Sequence, residues 1–426
     1  METPWRSELR GVNSIVSKGD GRMLKPTGGM AMEAQSESAL KGSVRLGSYL
    51  RRLRVGYGYS LRRVEERAKA EGGEIDNSQL SRYEKGICYP SFDKLRVLAN
   101  VFNVSVQAFS DVVDLEACEV LKSRDGAPVE LVNEGNAALK AGDYRQAFAY
   151  YDFALDQLHA DDDLDNNQQA VTQTRINLAM ALSRLGKLAL AEQELRHALR
   201  SSGKLSPTLT ARAFLMLANL HADQGDLLLA EVEADKALAL ARASELTLVA
   251  ARALHTLGRV LDESKQPLAA IDRYREAGAL YETCGEQNEA IRVRINVGGC
   301  YVSLGKVKEG VRLLRAALAD AHAAGLRHQE SQAWSILGEA HFRSDETDQA
   351  QSCFRQSDAL AGAPDKYVDI LFFNAFYEWK MATRQVNPTR EKIAFGRLKA
   401  LRSSLERRFL EVEAFDTFVE RRRSDG

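Results

Sequence analysis

At 426 residues the chain is too long for a single ordinary hydrophobic core, so we expect two or more domains. Hydrophobic residues make up 45% and charged residues 27% of the sequence, proportions that exclude a largely disordered or membrane-embedded chain. The formal net charge of −1 at pH 7 indicates neither an acidic nor a basic partner for the whole chain, so only the charge of individual segments bears on partners.

The N-terminal segment, residues 1–40, is rich in Gly, Ser and Lys without helical periodicity, which predicts a disordered extension. It lacks the apolar core and cleavage site of a secretory signal, and no run of about 18 apolar residues in the chain predicts a membrane span. The five cysteines form no CxxC pair, which favours reduced thiols in a cytoplasmic protein over a disulfide frame or a zinc site.

Residues 44–111 show five short helical patterns, which predict a compact all-α domain. In the first pattern, Leu46, Leu50 and Leu53 recur at helical spacing with arginines between them. Ser60, Asp76 and Ser105 are predicted N-caps of the second, third and fifth helices, and Pro90 introduces the fourth.

This segment resembles the Xre-type, phage-repressor-like helix-turn-helix family. The resemblance is carried by Ser60, Val64, Ile75, Asp76, Leu80, Ser81, Tyr83, Glu84, Gly86 and Pro90, followed by KLRVLANVFNVSVQAF. It implies that the third helix enters the major groove of double-stranded DNA with its leading end, while Leu80 and Tyr83 face the domain core. It also implies that Arg54 pairs with Glu84 and braces this helix.

The predicted DNA-binding residues are short polar side chains for base edges and cations for phosphate. They are Asn77, Ser78, Gln79, Arg82, Lys85 and Arg54. Between Val44 and Ser110, twelve Lys or Arg stand against seven Asp or Glu, a net charge of 12 − 7 = +5, as expected for neutralising a few phosphates. Alternatively, Arg51, Arg52, Arg62 and Arg63 form a merely solvated helix face.

Residues 112–127 are predicted to be a connecting helix or linker, and a repeat follows. A small residue recurs in mid-helix at Gly135, Ala179, Ala218, Gly258, Gly298 and Gly338, with later intervals of 39, 40, 40 and 40 residues. Each unit predicts two helices joined by a turn, with glycine in that turn at positions 186, 225 and 305, but Lys265 and Asp345 in two others. The pattern resembles the tetratricopeptide repeat and predicts six repeats over residues 128–363.

The C-terminal segment, residues 364–426, departs from this period and is dense in aromatic residues near its start. One interpretation is a cap that covers the apolar seam of the last repeat. The other is a dimer contact made by an exposed aromatic face.

Stacked helix pairs leave a concave groove lined by the first helix of each repeat. Matching the groove positions of tetratricopeptide repeats onto this chain gives Asn136, Lys140, Asn177, Arg184, Arg212, Asn219, Arg252, His255, Arg259, Arg292, Asn296 and Arg343. Asparagine can pair with a peptide backbone and arginine with a carboxylate, so the set suits an extended peptide, a small molecule or a protein partner. Alternatively, these arginines are solvated, Asn177 and Asn296 bond neighbouring backbone, and the groove holds nothing.

The order of the two parts is similar to that of the peptide-responsive Rgg- and PlcR-like regulators. This resemblance implies an all-α homodimer that binds operator DNA with a five-helix N-terminal domain and senses a short peptide with its repeat superhelix. No catalytic motif, metal-ligand spacing or cofactor motif is present, so we predict no enzyme, metal or cofactor. The alternative is a repeat scaffold whose N-terminal domain does not bind DNA as a functional reader.

Overall fold

The computed structural model describes residues 42–121, 126–160, 164–200, 206–362, 366–405 and 407–424; the predicted N-terminal extension, residues 1–40, lies outside them. These residues form α-helices and one 3-10 helix without a strand, which confirms the all-α class. None of the helices in these ranges combines the length and apolar character that a membrane span requires. The chain divides into two compact units, Met1–Val97 and Leu98–Gly426.

Residues 42–97, the described part of the first unit, form three helices and the start of a fourth. They are α1 (Val44–Gly56), α2 (Leu61–Ala70), α3 (Asn77–Glu84) and α4 (Phe92–Phe102), within which the division falls. The side chain of Ser60 accepts a hydrogen bond from the backbone N–H of Arg63, and that of Asp76 accepts one from Gln79. These bonds confirm both predicted caps, which satisfy N–H groups that a helix start leaves without a partner.

Close packing of α1 against α3 fixes the orientation of the third helix. A Cβ added at Gly47 would lie 2.6 Å from the carbonyl oxygens of Tyr83 and Glu84, so only glycine permits this approach. Leu80 and Tyr83 are buried, as the sequence predicts. The opposite side of α3 therefore remains available to solvent.

The second unit begins within α4 and continues through α5 (Val106–Asp114) and a 3-10 helix (Leu115–Leu121). Ser105 caps α5 as predicted. The predicted linker, residues 112–127, therefore starts inside α5. Val112, Leu115 and Cys118 are buried, so the start of this segment packs against the rest of the unit.

Six helix pairs follow, each helix packing against the next in the chain. They are α6 (Pro128–Ala141) with α7 (Tyr144–Ala160), α8 (Leu164–Arg184) with α9 (Leu188–Arg200), α10 (Pro207–Gln224) with α11 (Leu227–Ala243), α12 (Thr247–Glu263) with α13 (Pro267–Thr283), α14 (Gln287–Ser303) with α15 (Val307–Ala323), and α16 (Arg327–Arg343) with α17 (Thr347–Ala361).

The recurring small residue lies where the two helices of a pair touch. A Cβ added at Gly135 would lie 2.5 Å from the ring of Tyr151, and one added at Gly258 would lie 2.6 Å from that of Tyr274. Both rings are buried. The period near 40 residues therefore has a steric cause, since a larger residue at these positions would separate the paired helices.

The turns inside the pairs use a left-handed backbone conformation. Gly225 and Gly305 have φ values of 83° and 76°, and Lys265 and Asp345 adopt the same conformation at 61° and 57°. The two turns that lack glycine in the sequence thus keep the geometry of the others, at the steric cost that a Cβ brings there.

The C-terminal segment forms a seventh pair, α18 (Val368–Arg384) and α19 (Pro388–Arg402), and a final helix, α20 (Leu410–Ser424). Phe372, Phe376, Tyr377 and Trp379 of α18 are buried, in a cluster that includes Phe415 of α20. The aromatic side of α18 is therefore covered by this chain itself. This favours the capping interpretation over a dimer contact through an exposed aromatic face.

Candidate nucleic-acid interface and ligand cavity

The leading end of α3 presents polar side chains to solvent. Asn77 and Ser78 are exposed, while Gln79 is half-buried and its side-chain oxygen accepts a hydrogen bond of 2.8 Å from Nζ of Lys94. Arg82, one turn further on, is exposed. The helix start thus offers amide and hydroxyl groups with a cation beside them, a combination that can contact base edges and phosphate.

The opposite end of α3 is braced by an ion pair with α1. Nε and Nη2 of Arg54 donate to the two carboxylate oxygens of Glu84 at 2.6 and 2.9 Å, and Nη1 donates to the backbone oxygen of Tyr59 at 3.0 Å. The hydrogen bond to Glu84 raises the pKa of Arg54. This confirms the expected pair and directs the guanidinium inward, whereas Lys85, at the end of α3, is exposed.

The arginines of α1 and α2 differ in their surroundings. Arg51 and Arg52 on α1 are exposed. On α2, Arg62 and Arg63 both lie near Glu66, at 3.5 and 3.1 Å. For these two side chains the structure agrees with the solvated-face interpretation, because exposed pairs of this kind are weak.

The repeat unit contains a cavity of about 760 Å³, lined mainly by the first helices of successive pairs. Eight of the twelve predicted groove residues line it. They are Arg184, Asn219, Arg252, His255, Arg259, Arg292, Asn296 and Arg343. The other four do not: Asn136, Lys140, Asn177 and Arg212.

Several predicted groove residues hydrogen-bond to side chains of neighbouring repeats. Asn177 donates to Asn136 at 3.1 Å, and Nη1 of Arg212 donates to Gln173 at 2.8 Å. The amide oxygen of Asn219 accepts from the hydroxyl of Thr256 at 3.1 Å. These bonds join α6, α8, α10 and α12 in sequence.

This series of hydrogen bonds between adjacent repeats continues through the later repeats. Nδ2 of Asn296 lies 3.1 Å from Nε2 of His255, and Nε2 of Gln332 donates to the amide oxygen of Asn296 at 3.2 Å. Ser335 then donates to Asn374 on α18. Asn177 and Asn296 therefore bond side chains of adjacent repeats, whereas the alternative interpretation predicts backbone partners for them.

His255 lines the cavity and is buried. Burial lowers its pKa well below the ordinary value, and the nearby guanidinium groups of Arg292 and Arg259 lower it further. The imidazole is therefore neutral at pH 7 and acts as a polar contact between repeats, without adding positive charge to the cavity.

The cations of the cavity fall into two groups. Arg259 pairs with Asp223 at 2.7 Å and Arg343 pairs with Glu339 at 2.8 Å. In contrast, Arg184 and Arg252 are exposed and have no carboxylate partner within the described ranges. The second group is free to bind an anionic group of a ligand.

Acidic residues of the cavity are absent from the predicted set. Asp223, Asp262, Glu263 and Asp369 all line it. Burial raises the pKa of Asp262 to about 6. A sequence signal exists for two of them, since Asp223 and Glu263 are 263 − 223 = 40 residues apart and therefore share one repeat position. The predicted set contains only cations, amides and one histidine, so it omits these carboxylates.

Comparisons with known proteins agree with this architecture. A family model described as a helix-turn-helix domain matches residues 45–109, and one described as a tetratricopeptide repeat matches residues 172–204. A comparison with curated proteins finds no match.

Solved structures with a similar fold include three proteins of low sequence identity. A Rap protein complexed with competence and sporulation factor is 15% identical with a TM-score of 0.52, over 66% of this chain and 77% of that one. The apo form of RapI is 12% identical with a TM-score of 0.54, over 65% and 97%. Aspartyl phosphate phosphatase F from Bacillus subtilis is 14% identical with a TM-score of 0.53, over 88% and 97%.

At these identities the structural likeness concerns the fold alone. Together with the two family models, it confirms a helix-turn-helix domain followed by tetratricopeptide-type helical repeats.

Proposed function

We propose that this helix-turn-helix and repeat protein is a sequence-specific DNA-binding transcriptional regulator. The observation that carries the proposal is the leading end of α3, where Asn77 and Ser78 are exposed beside Arg82. The Asp76 cap at this end and the Arg54–Glu84 pair at the opposite end hold α3 in one orientation before DNA binds. A preorganised contact surface loses less conformational entropy on binding.

Each exposed group has a distinct role in this proposal. Asn77 and Ser78 contact base edges, which provide sequence preference, while Arg82 and Lys85 contact phosphates, which provide affinity and position. Arg54 stabilises α3 through its ion pair with Glu84. In this proposal the protein is a homodimer, because two recognition helices on adjacent half-sites give a regulator its operator specificity. The proposal also assigns it to the cytoplasm, because its cysteines are free thiols.

The repeat unit senses a peptide or protein partner in this proposal. Its cavity of about 760 Å³ offers room for a ligand, and Arg184 and Arg252 offer cations without carboxylate partners within the described ranges. Ligand binding changes operator affinity through a coupling free energy between the two sites.

DNA selection followed by salt titration tests the DNA-binding function. Fragments selected from a genomic library should bind far more tightly than random DNA, with an affinity that falls steeply as salt rises. Arg82→Ala should weaken binding to all sequences, while Asn77→Ala should relax the preference at one base position, a loss of about 1–3 kcal/mol. Arg355→Ala removes an exposed arginine from α17 and should leave DNA binding unchanged.

The same experiment distinguishes the alternative. If selected and random DNA bind equally weakly, and Arg82→Ala behaves like Arg355→Ala, the chain is a repeat scaffold whose N-terminal domain does not recognise DNA.

A further inference from the structure

A short stretch of the chain's own C-terminal segment forms part of the wall of the repeat cavity. We call residues 407–411, between the end of α19 and the first turn of α20, the C-terminal strap. Arg407, Phe409, Leu410 and Glu411 line the cavity together with residues of the repeats. The backbone N–H of Arg408 donates to the backbone oxygen of Asp223 at 3.0 Å, which holds the strap at the C-terminal end of α10.

The Arg407 guanidinium is surrounded by three carboxylates from three different helices. Its nitrogens lie 3.0 Å from Glu263 of α12, 3.4 Å from Asp369 of α18 and 3.8 Å from Asp223 of α10. Asp223 also pairs with Arg259. Without Arg407 this cluster would hold three carboxylates and one arginine, a net charge of −2, so its occupant must be cationic.

Arg407 fills this cluster incompletely. Its Nε is buried and has no hydrogen-bond partner within the described ranges, and about a third of the side chain, 35%, stays exposed. A buried donor without an acceptor costs free energy. A guanidinium with every donor within hydrogen-bond distance of the three carboxylates would therefore bind this site more tightly than Arg407 does.

The residues after Arg407 pack against α18. The Phe409 ring meets Phe372 edge to face with ring centroids 5.9 Å apart. The hydroxyl of Tyr377 donates to the Glu411 carboxylate at 3.3 Å. The strap thus presents a cation and, two residues later, an aromatic ring.

We propose that Asp223, Glu263 and Asp369 form an arginine-binding subsite, and that the ligand of the cavity is a peptide with an arginine followed two residues later by an aromatic residue. This peptide displaces the strap, which acts as an internal competitor. The inference rests on the proposed ligand-sensing function. A peptide fits better than an isolated cation, because Arg184 and Arg252 at the same cavity can bind its carboxylate end.

A synthetic copy of the strap is the probe that tests this inference. The peptide SSLERRFLEV copies residues 403–412, and its binding to the full chain is followed by fluorescence anisotropy without DNA. The unaltered chain should bind it weakly, because a tethered segment competes at an effective concentration on the order of millimolar. Arg407→Ala combined with Phe409→Ala empties the subsite and should strengthen peptide binding by about tenfold or more.

Matched variants separate the subsite from general effects. Arg408→Ala removes an exposed arginine of the strap and should leave peptide affinity as in the unaltered chain. In the double variant, adding Glu263→Gln and Asp369→Asn should abolish the gain, as should a peptide in which glutamine replaces the first arginine. A double variant that binds the peptide no more tightly than the unaltered chain overturns the inference.

Hydrogen exchange of the unaltered chain gives a second test if the double variant does not fold, which circular dichroism shows. Excess peptide should increase exchange in residues 407–412, because the strap leaves the cavity. Unchanged protection while the peptide is bound overturns the inference. DNA is absent from both tests, so failure to bind operator DNA refutes the regulator proposal alone.

Discussion

Replacing Gly338 by alanine tests the close approach of paired helices in the repeats. A Cβ at this position of α16 would lie 2.5, 2.7 and 2.8 Å from three ring carbons of Phe354 on α17. Phe354 is fully buried, so its ring has no open space into which it can move. The methyl group must therefore separate α16 from α17 or force the ring out of its rotamer.

The expected cost follows from two opposing terms. Overpacking of a filled core costs about 1–3 kcal/mol, and three contacts below 3.0 Å place this site at the upper end. Alanine in place of glycine in a helix returns about 1 kcal/mol. The net destabilisation is thus about 2 kcal/mol. Gly396 of α19 is the matched control, because a Cβ there meets nothing within 4 Å and Gly396→Ala should stabilise α19 by about 1 kcal/mol.

Local hydrogen exchange measures this difference better than global unfolding, because arrays of repeats often do not unfold in a single transition. A loss of about 2 kcal/mol should accelerate exchange of α16 and α17 peptides by about 30-fold. If Gly338→Ala exchanges as slowly as the unaltered chain, the steric explanation of the repeat period is wrong.

Three further predictions follow from local geometry. Val386 has a φ of 51° and is exposed, so Val386→Gly should raise stability by about 0.5–1 kcal/mol in thermal unfolding. Arg54→Ala leaves Glu84 without its partner and should destabilise the first unit by about 2 kcal/mol in urea, since the pair is mostly buried. Burial and the nearby Glu339 raise the pKa of Glu411 to about 7, from an ordinary 4.5, so protonation favours the folded state. Protection of α20 should therefore fall as pH rises from about 4.5 to about 7 and level off above that, and Glu411→Gln should remove this dependence.

Each of these predictions has a control that changes the same chemistry elsewhere. Val386→Ala keeps a Cβ in the left-handed conformation and should gain less than Val386→Gly; an equal gain would refute the backbone argument. Arg63→Ala breaks an exposed pair and should change stability by no more than about 0.5 kcal/mol, so a loss matching that of Arg54→Ala would contradict the importance of burial. Glu413→Gln alters an exposed neighbour of Glu411 and should leave the pH dependence intact; the opposite result would assign the titration to another group.

The amino-acid sequence alone determines the features that arise within one helix or recur at a fixed period. Asp76 caps α3, Leu80 and Tyr83 are buried, and the small residues recur where paired helices touch, because each signal depends on neighbours three, four or about forty residues away. The Arg54–Glu84 pair joins separate helices and was expected only through the family resemblance. Eight of the twelve predicted groove positions line the cavity for the same periodic reason.

The tertiary structure decides what these positions contact. His255, Asn219 and Asn296 bond to adjacent repeats, so residue type alone did not indicate which groove positions stay free. The strap has no period and no helical pattern, and Arg407 meets Glu263, 144 residues earlier in the chain. Such a contact depends on how α18, α19 and α20 pack together, and no local spacing in the sequence encodes that packing.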